Sequence, residues 1–151
     1  MNVTVREARQ SDIPAIADLF DQYRQFYEQP PNLSLAHAFI YERFAKQESV
    51  ILVAERDGMD LVGFCQLYPT YCSVEAKPIY VLYDLFVLAS ARQSGAGRLL
   101  LKAAETRAAA DGKARMDLTT AKTNKAAQSL YESLGWVRDE VFYSYSIGVA
   151  S

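Results

Sequence analysis

LFVLASARQSGAGRLLLKAAE, Leu85 to Glu105, is the stretch on which the reading of this chain turns. An apolar run gives way to small and basic residues around Gly95 and Gly97, and a helical pattern of Leu, Ala and Lys follows at once. A strand that feeds a helix through such a turn presents main-chain N–H groups at the helix N-terminus. Those donors and the helix dipole suit an anion, a diphosphate above all. Glycine admits positive φ and lets a ligand approach the backbone closely, because no Cβ stands in the way. Arg92 and Arg98 bracket the turn and add to its field. The plainer alternative is a flexible turn with surface arginines. Two other phosphate motifs fit poorly: a P-loop needs Lys then Ser or Thr after its last glycine, and a GxGxxG fingerprint needs glycine where Leu100 stands.

Outward from this turn the chain reads as one domain over residues 1–151, without repeats or low-complexity tracts. VTVREA alternates like a first strand. Ser11 offers an N-cap with Pro14 in the first turn, and Ile13, Ile16, Ala17, Phe20, Tyr23 and Tyr27 recur at helical spacing until Pro30 and Pro31. A second helix is expected from Ser34 to about Lys46. SVILVAER and LVGFCQLYPTY, joined through RDGMD, form a hairpin, with Pro69 near a strand end or an edge. IYVLYDLFV is apolar nearly throughout, as a strand buried on both faces is. A helix from about Gly97 to Ala110, a Gly112 cap, a short strand in ARMDLTTA, a helix from Thr123 or Asn124 through Leu134 and a last strand in VFYSYSIGV complete the order. The class is α/β of the α+β type, a mixed sheet with helices on its faces.

Composition narrows the function. The 16 Lys and Arg against 18 Asp and Glu give a net charge of −2, which argues against a nucleic-acid partner. No apolar run has the length of a membrane span. The opening MNVTVREARQSD lacks a basic-then-apolar leader pattern, so a cytoplasmic protein is expected. Cys65 and Cys72, without a second Cys or His cluster, make no metal framework and are expected as reduced thiols; no metal is expected. His37, the one histidine, lies in the second helix, away from the glycine turn.

RQSGAG matches the R/Q-x-x-G-x-G/A signature, and NKAAQSLYESLGW the N-x-x-A-x-x-x-Y-x-x-x-G-F/W segment, of the GCN5-related N-acetyltransferase (GNAT) superfamily, which the chain thereby resembles. The resemblance implies a mixed, mostly antiparallel sheet of six to seven strands with a splayed central pair and about four helices. It implies acetyl-CoA as co-substrate. The backbone of Leu85, Phe86 and Val87 would pair with pantetheine and the thioester carbonyl. The diphosphate would rest on amides from Gln93 through Ser94, Gly95, Ala96 and Gly97 to Arg98, beside Arg92. Asn124 would contact the CoA arm, and Tyr131 would place its hydroxyl near the sulfur. Where family members often carry Gly and a second basic residue after the signature Arg, this chain has Gln93 and Ser94.

Acetyl transfer needs an aligned amine, a donor for the developing oxyanion and a neutral amine. A lysine-like amine has a pKa of about 10.4, whereas thiols titrate near about 8.5 and so leave well. Tyr131 as general acid is therefore helpful rather than indispensable, and Asp84 is a candidate to receive the amine proton, or else a structural carboxylate. In the superfamily the acceptor pocket comes from the first two helices and the segment before the central strand. Here these are rich in Tyr and carry Glu28, Glu75 and Asp84, so Tyr27, Glu28, Tyr83 and Asp84 are candidate substrate contacts. LYPTYCSVEAKPIYVLYDLFV is similar to the spermidine/spermine N-acetyltransferase branch, except that the branch's Glu-Asp pair reads Tyr83-Asp84. The expectation is a small primary amine or polyamine-like acceptor, direct transfer in a ternary complex, and a homodimer. A peptide, protein N-terminal or amino-acid acetyltransferase and a non-catalytic acyl-CoA-binding module are the alternatives.

Overall fold

The structure, a computed structural model, describes residues 2–150. The chain forms two compact units, Met1–Thr119 and Thr120–Ser151.

The first unit is built on a five-stranded sheet in the order β1 (Val3–Glu7), β2 (Val50–Arg56), β3 (Asp60–Cys72), β4 (Lys77–Val87) and β5 (Met116–Asp117). The first four strands run antiparallel to their neighbours, and β5 joins β4 in parallel. Side chains alternate across such a sheet. Ile51, Val53, Phe64 and Phe86 meet Ile13, Ile16, Phe20, Ala36 and Ile40 of helices α1 (Ile13–Phe26) and α2 (Leu33–Ala45). The other face receives helix α3 (Ala96–Ala110), which buries Leu100, Leu101, Ala104 and Ala108. Gly63 faces this helix and allows a close approach: a Cβ there would stand 2.9 Å from the Phe86 carbonyl oxygen and 3.4 Å from a Leu100 methyl.

Local chemistry explains the element ends. Asn32 caps α2 by accepting from the Leu35 amide at 3.1 Å, slightly before the expected start. Ser11 is not the cap of α1, as its spacing predicts. It falls in a 3-10 turn, Gln10–Asp12, and Asp12 takes the cap position with its carboxylate bound to the Arg9 amide and the Arg6 guanidinium, both at 2.7 Å. Pro69 lies where β3 has outrun β2, whose last pairing is Val50 with Leu67, so a residue without an N–H faces an open edge. Gly112, at φ 71°, follows the end of α3.

The second unit carries helix α4 (Lys125–Ser133), capped by Asn124, whose side chain accepts from the Ala127 amide at 3.1 Å. Gly135, at φ 94°, follows it. The expected last strand, VFYSYSIGV, is a correction: residues 141–149 make no ladder, and five strands form where the resemblance implies six or seven. Alternation suits a residue to a pleated surface, but only pairing with a neighbour makes a strand. At the head of the segment the Asp139 carboxylate instead binds the amides of Val141 at 2.9 Å and Phe142 at 3.3 Å, a local bond that competes with a ladder.

Candidate active site

The middle of β4 breaks the sheet's regularity twice. On the β3 side Gln66 faces Asp84 but Leu67 faces Leu82, so Tyr83 is the extra residue of a β-bulge. On the other side β5 pairs only with Tyr80 and Val81. From Leu82 onward β4 therefore has a free edge among the described residues, and that edge includes the backbone of Leu85, Phe86 and Val87.

Asp84 is the buried charge of this region, 6% exposed. Its Oδ2 accepts from Gln66 Nε2 at 2.8 Å, and Gln66, itself fully buried, accepts through Oε1 from Ser49 Oγ at 2.7 Å. The Tyr23 hydroxyl lies within reach of both the Tyr83 carbonyl, at 3.3 Å, and the Asp84 carboxylate. Burial pushes the Asp84 carboxyl above the ordinary carboxylate range, and the bonds from Gln66 and Tyr23 hold it down only in part. The arrangement is a carboxylate held in one orientation, with a raised affinity for a proton.

This carboxylate opens into a cavity of about 440 Å³. Its walls are aromatic: Phe20, Tyr23 and Tyr27 from α1, Phe39 from α2, Tyr68 from β3 and Tyr83 from the bulge. Tyr68 and Tyr83 meet edge to face at 5.6 Å, and burial beside Asp84 pushes the Tyr68 phenol up to about 12. Arg24, Gln29 and Asp84 supply the other polar groups. Of the sequence candidates, Tyr27, Tyr83 and Asp84 come together here. Glu28, at φ 66°, is exposed and outside the lining, and Glu75 pairs with Arg115 at 2.6 Å. Periodicity missed Gln66, Ser49, Tyr68 and Arg24. The one available signal was a glutamine inside the apolar run VGFCQL, since a buried amide needs partners.

The glycine turn follows the free edge. After Leu88 a 3-10 turn, Ala89–Ala91, leads to Arg92, whose Nε donates to the Val87 carbonyl at 3.1 Å. Ser94 bonds back to the Ala91 carbonyl, and its oxygen accepts from the Ala96 amide at 3.3 Å. Gly95, at φ 85°, is the cap residue of α3. The first-turn amides of a helix have no carbonyl within the helix to bind, and in α3 that turn is Ala96, Gly97 and Arg98. Arg92, Gln93 and Gly95 are exposed, whereas Ala96 is buried. In the second unit Tyr131 packs against Trp136, ring centres 6.0 Å apart, about two turns beyond the Asn124 cap.

Other reactive groups are spoken for. Cys65 and Cys72 are free thiols, and burial pushes Cys65 up to about 12, the opposite of nucleophile activation. A second cavity of about 440 Å³ has Asp12 and Glu55 in its wall, both committed to Arg6. Among the described residues no cluster of His, Cys, Asp and Glu has the makings of a metal site, and no helix is long and apolar enough to cross a membrane.

Comparison with known proteins shows the family and the fold. A model of the acetyltransferase (GNAT) family matches residues 13–136. The uncharacterized N-acetyltransferase YhfO of Bacillus subtilis (strain 168) is 47% identical over 147 residues, 97% of this chain and 98% of that protein. The crystal structure of a probable acetyltransferase, 33% identical, superposes with a TM-score of 0.89 over 100% of this chain and 99% of that one. The aminoglycoside N-acetyltransferase AAC(6')-Iy, solved in complex with CoA, superposes with a TM-score of 0.81 at 21% identity, over 97% of this chain and 95% of that one, a likeness of fold.

Proposed function

We propose, from the premise that the chain belongs to the acetyltransferase (GNAT) family, that the Asp84 cavity and the Gly95 turn are the two halves of a site that moves an acetyl group from acetyl-CoA to a small primary amine. That the chain is an N-acetyltransferase follows from the family and the 47%-identical relative; the residues and the acceptor are the proposal. One observation carries it. A buried, proton-seeking carboxylate stands one residue before a strand edge that no strand covers among the described residues, and that edge runs into a glycine-opened helix start.

The residues fit acetyl-CoA in kind. The unladdered stretch of β4 at Leu85 to Val87, where the Val87 carbonyl is held by Arg92 Nε, offers main-chain groups to an amide-bearing arm, and the turn offers the amides of Gln93, Gly95 and Gly97 to a diphosphate, those of Ser94 and Ala96 being held by the Ala91 carbonyl and Ser94 Oγ. The family resemblance assigns Asn124 to the arm of the same ligand. Acetyl-CoA supplies an acyl group already activated as a thioester. Asp84 orients the amine and takes its proton as the N–C bond forms and the C–S bond breaks, with the sulfur leaving as the CoA thiolate; the family resemblance offers Tyr131 as the acid that would protonate it. The products are the N-acetylated amine and free CoA. Because a thiolate leaves well, Tyr131→Phe lowers kcat by at most about 10²–10⁴-fold, and a full-rate Phe variant removes Tyr131 from the mechanism.

The test is thiol release from acetyl-CoA across a panel of primary amines, with CoA binding followed by calorimetry. Amine-dependent release with CoA binding is the expected result. Binding without turnover on any amine makes the chain an acyl-CoA-binding module, and no binding at millimolar CoA overturns the assignment of the turn. The same reading includes a homodimer, and a monomer mass by light scattering overturns that part.

A further inference from the structure

The cavity holding Asp84 also holds an unpaired cation. Arg24 is the one basic side chain in its wall and Asp84 the one acidic. Arg24 Nη1 is buried and has no hydrogen-bond partner among the described residues. The two charges do not satisfy one another: burial, Gln66 and Tyr23 are what act on Asp84. A guanidinium stays charged at any pH a protein survives, and a buried N–H without an acceptor is costly. Such a group is kept where an anionic acceptor completes it.

We propose that the acceptor is a compact amino-carboxylate, an amine and a single carboxylate on one small molecule with an apolar body, and that Arg24 binds its carboxylate while Asp84 receives its amine. The inference rests on the acetyl-transfer reading of Asp84 and narrows its acceptor. Three features favour this class. One positive and one negative wall charge complement a zwitterion, whereas a polyamine would set a second ammonium against Arg24. The planar fork of arginine matches a carboxylate. A phosphate dianion would call for further cations, and the wall has none. The six aromatic rings suit an apolar body, aromatic or aliphatic, between the two charged ends.

The experiment compares matched acceptors on the full chain: L-phenylalanine, L-phenylalanine amide, phenethylamine and spermidine, by thiol release from acetyl-CoA. The expected result is a kcat/KM for phenylalanine about tenfold or more above each of the others, because a charge-assisted bond is at stake. In Arg24→Met that preference disappears through KM, and Arg24→Lys restores part of it. Equal rates for acid and amide, a preference for spermidine, or an acid preference that survives Arg24→Met overturns the amino-carboxylate while leaving the transferase standing. Should none of the four be acetylated, calorimetric titration into CoA-saturated protein decides. Phenylalanine binding no tighter than phenethylamine, or equally in wild type and Arg24→Met, overturns the proposal; tighter binding lost in the variant supports it.

Discussion

Two regions flank Leu85–Val87, and they are made of different material. On the Asp84 side everything is side chain: a carboxylate, an amide, a hydroxyl and a ring of aromatics, drawn from α1, α2, β3 and β4, with Asp84 and Gln66 buried beneath partly exposed rings. On the Gly95 side the groups that matter are main chain, displayed by a left-handed residue at the start of α3, with Arg92 and Gln93 exposed. A side-chain site fails when one atom changes. A main-chain site fails only when the backbone is bent. The contrast predicts large effects of conservative changes in the cavity and small effects of drastic ones in the turn.

Asp84→Asn is the sharpest test. It keeps the shape and removes the proposed base, and the expected result is a fall in kcat/KM of about 10²–10⁴-fold with the fold intact by circular dichroism. In the wild type, the acid limb of the pH–rate profile lies above the ordinary carboxylate range, because the carboxyl is raised; the variant loses that limb. The sign for stability is opposite to that for activity. A carboxyl raised on folding holds more protons in the native than in the unfolded state over the window between its two pKa values. Stability is therefore lost as pH rises from the ordinary carboxylate pKa through the raised one. Asp84→Asn should melt at or above the wild-type temperature at pH 7. A variant that is both inactive and markedly less stable would make Asp84 a structural carboxylate.

Gln66→Met comes next. It takes the donor from a buried carboxylate and leaves Ser49 without its acceptor, at a cost of about 1–3 kcal/mol in denaturant unfolding. Losing a bond to the charged form raises Asp84 further, so the acid limb moves to higher pH. Tyr23, Tyr68 and Arg24 also face this cavity, and an unmoved limb in Gln66→Met would mean that they, rather than Gln66, set the carboxyl.

The same contrast governs what could be read from the sequence. The turn was legible because its chemistry is contiguous: strand, small residues, Gly95 and helix follow one another between Leu85 and Glu105. Asp84 was legible as a carboxylate in an apolar strand, but its setting was not. Gln66 sits 18 residues away, Ser49 a further 17, and Arg24 on another element altogether. Spacing along a chain says nothing of which side chains a sheet brings together. The bulge at Tyr83 was also invisible, since a register slip lies in the pairing of two strands and not in either one. VFYSYSIGV shows the converse: its pattern is that of a strand, yet a pattern does not supply the partner edge.

Gly95→Val probes the backbone of the turn. A Cβ at Gly95 meets nothing within 4 Å, so the whole penalty is the left-handed φ of 85°. That strain costs about 1–2 kcal/mol, or about 2–8 °C in Tm, with a few-fold rise in the KM for acetyl-CoA. Gly95→Asn, which tolerates this conformation better, recovers most of both.

Arg92→Ala should be the mildest. The side chain is exposed, and its Nε is already used on the Val87 carbonyl at 3.1 Å, so its service to a diphosphate is that of a solvated charge near a helix start. Such a charge contributes about 0.3–1 kcal/mol, a two- to fivefold rise in the KM for acetyl-CoA with kcat unchanged. The effect should shrink further as salt is raised past about 0.15 M, where the screening length is near 8 Å. A loss beyond about a hundredfold, persisting in high salt, would mean that the guanidinium grips the ligand directly. The turn would then be a side-chain site like the cavity across the strand, and the difference between the two regions would be gone.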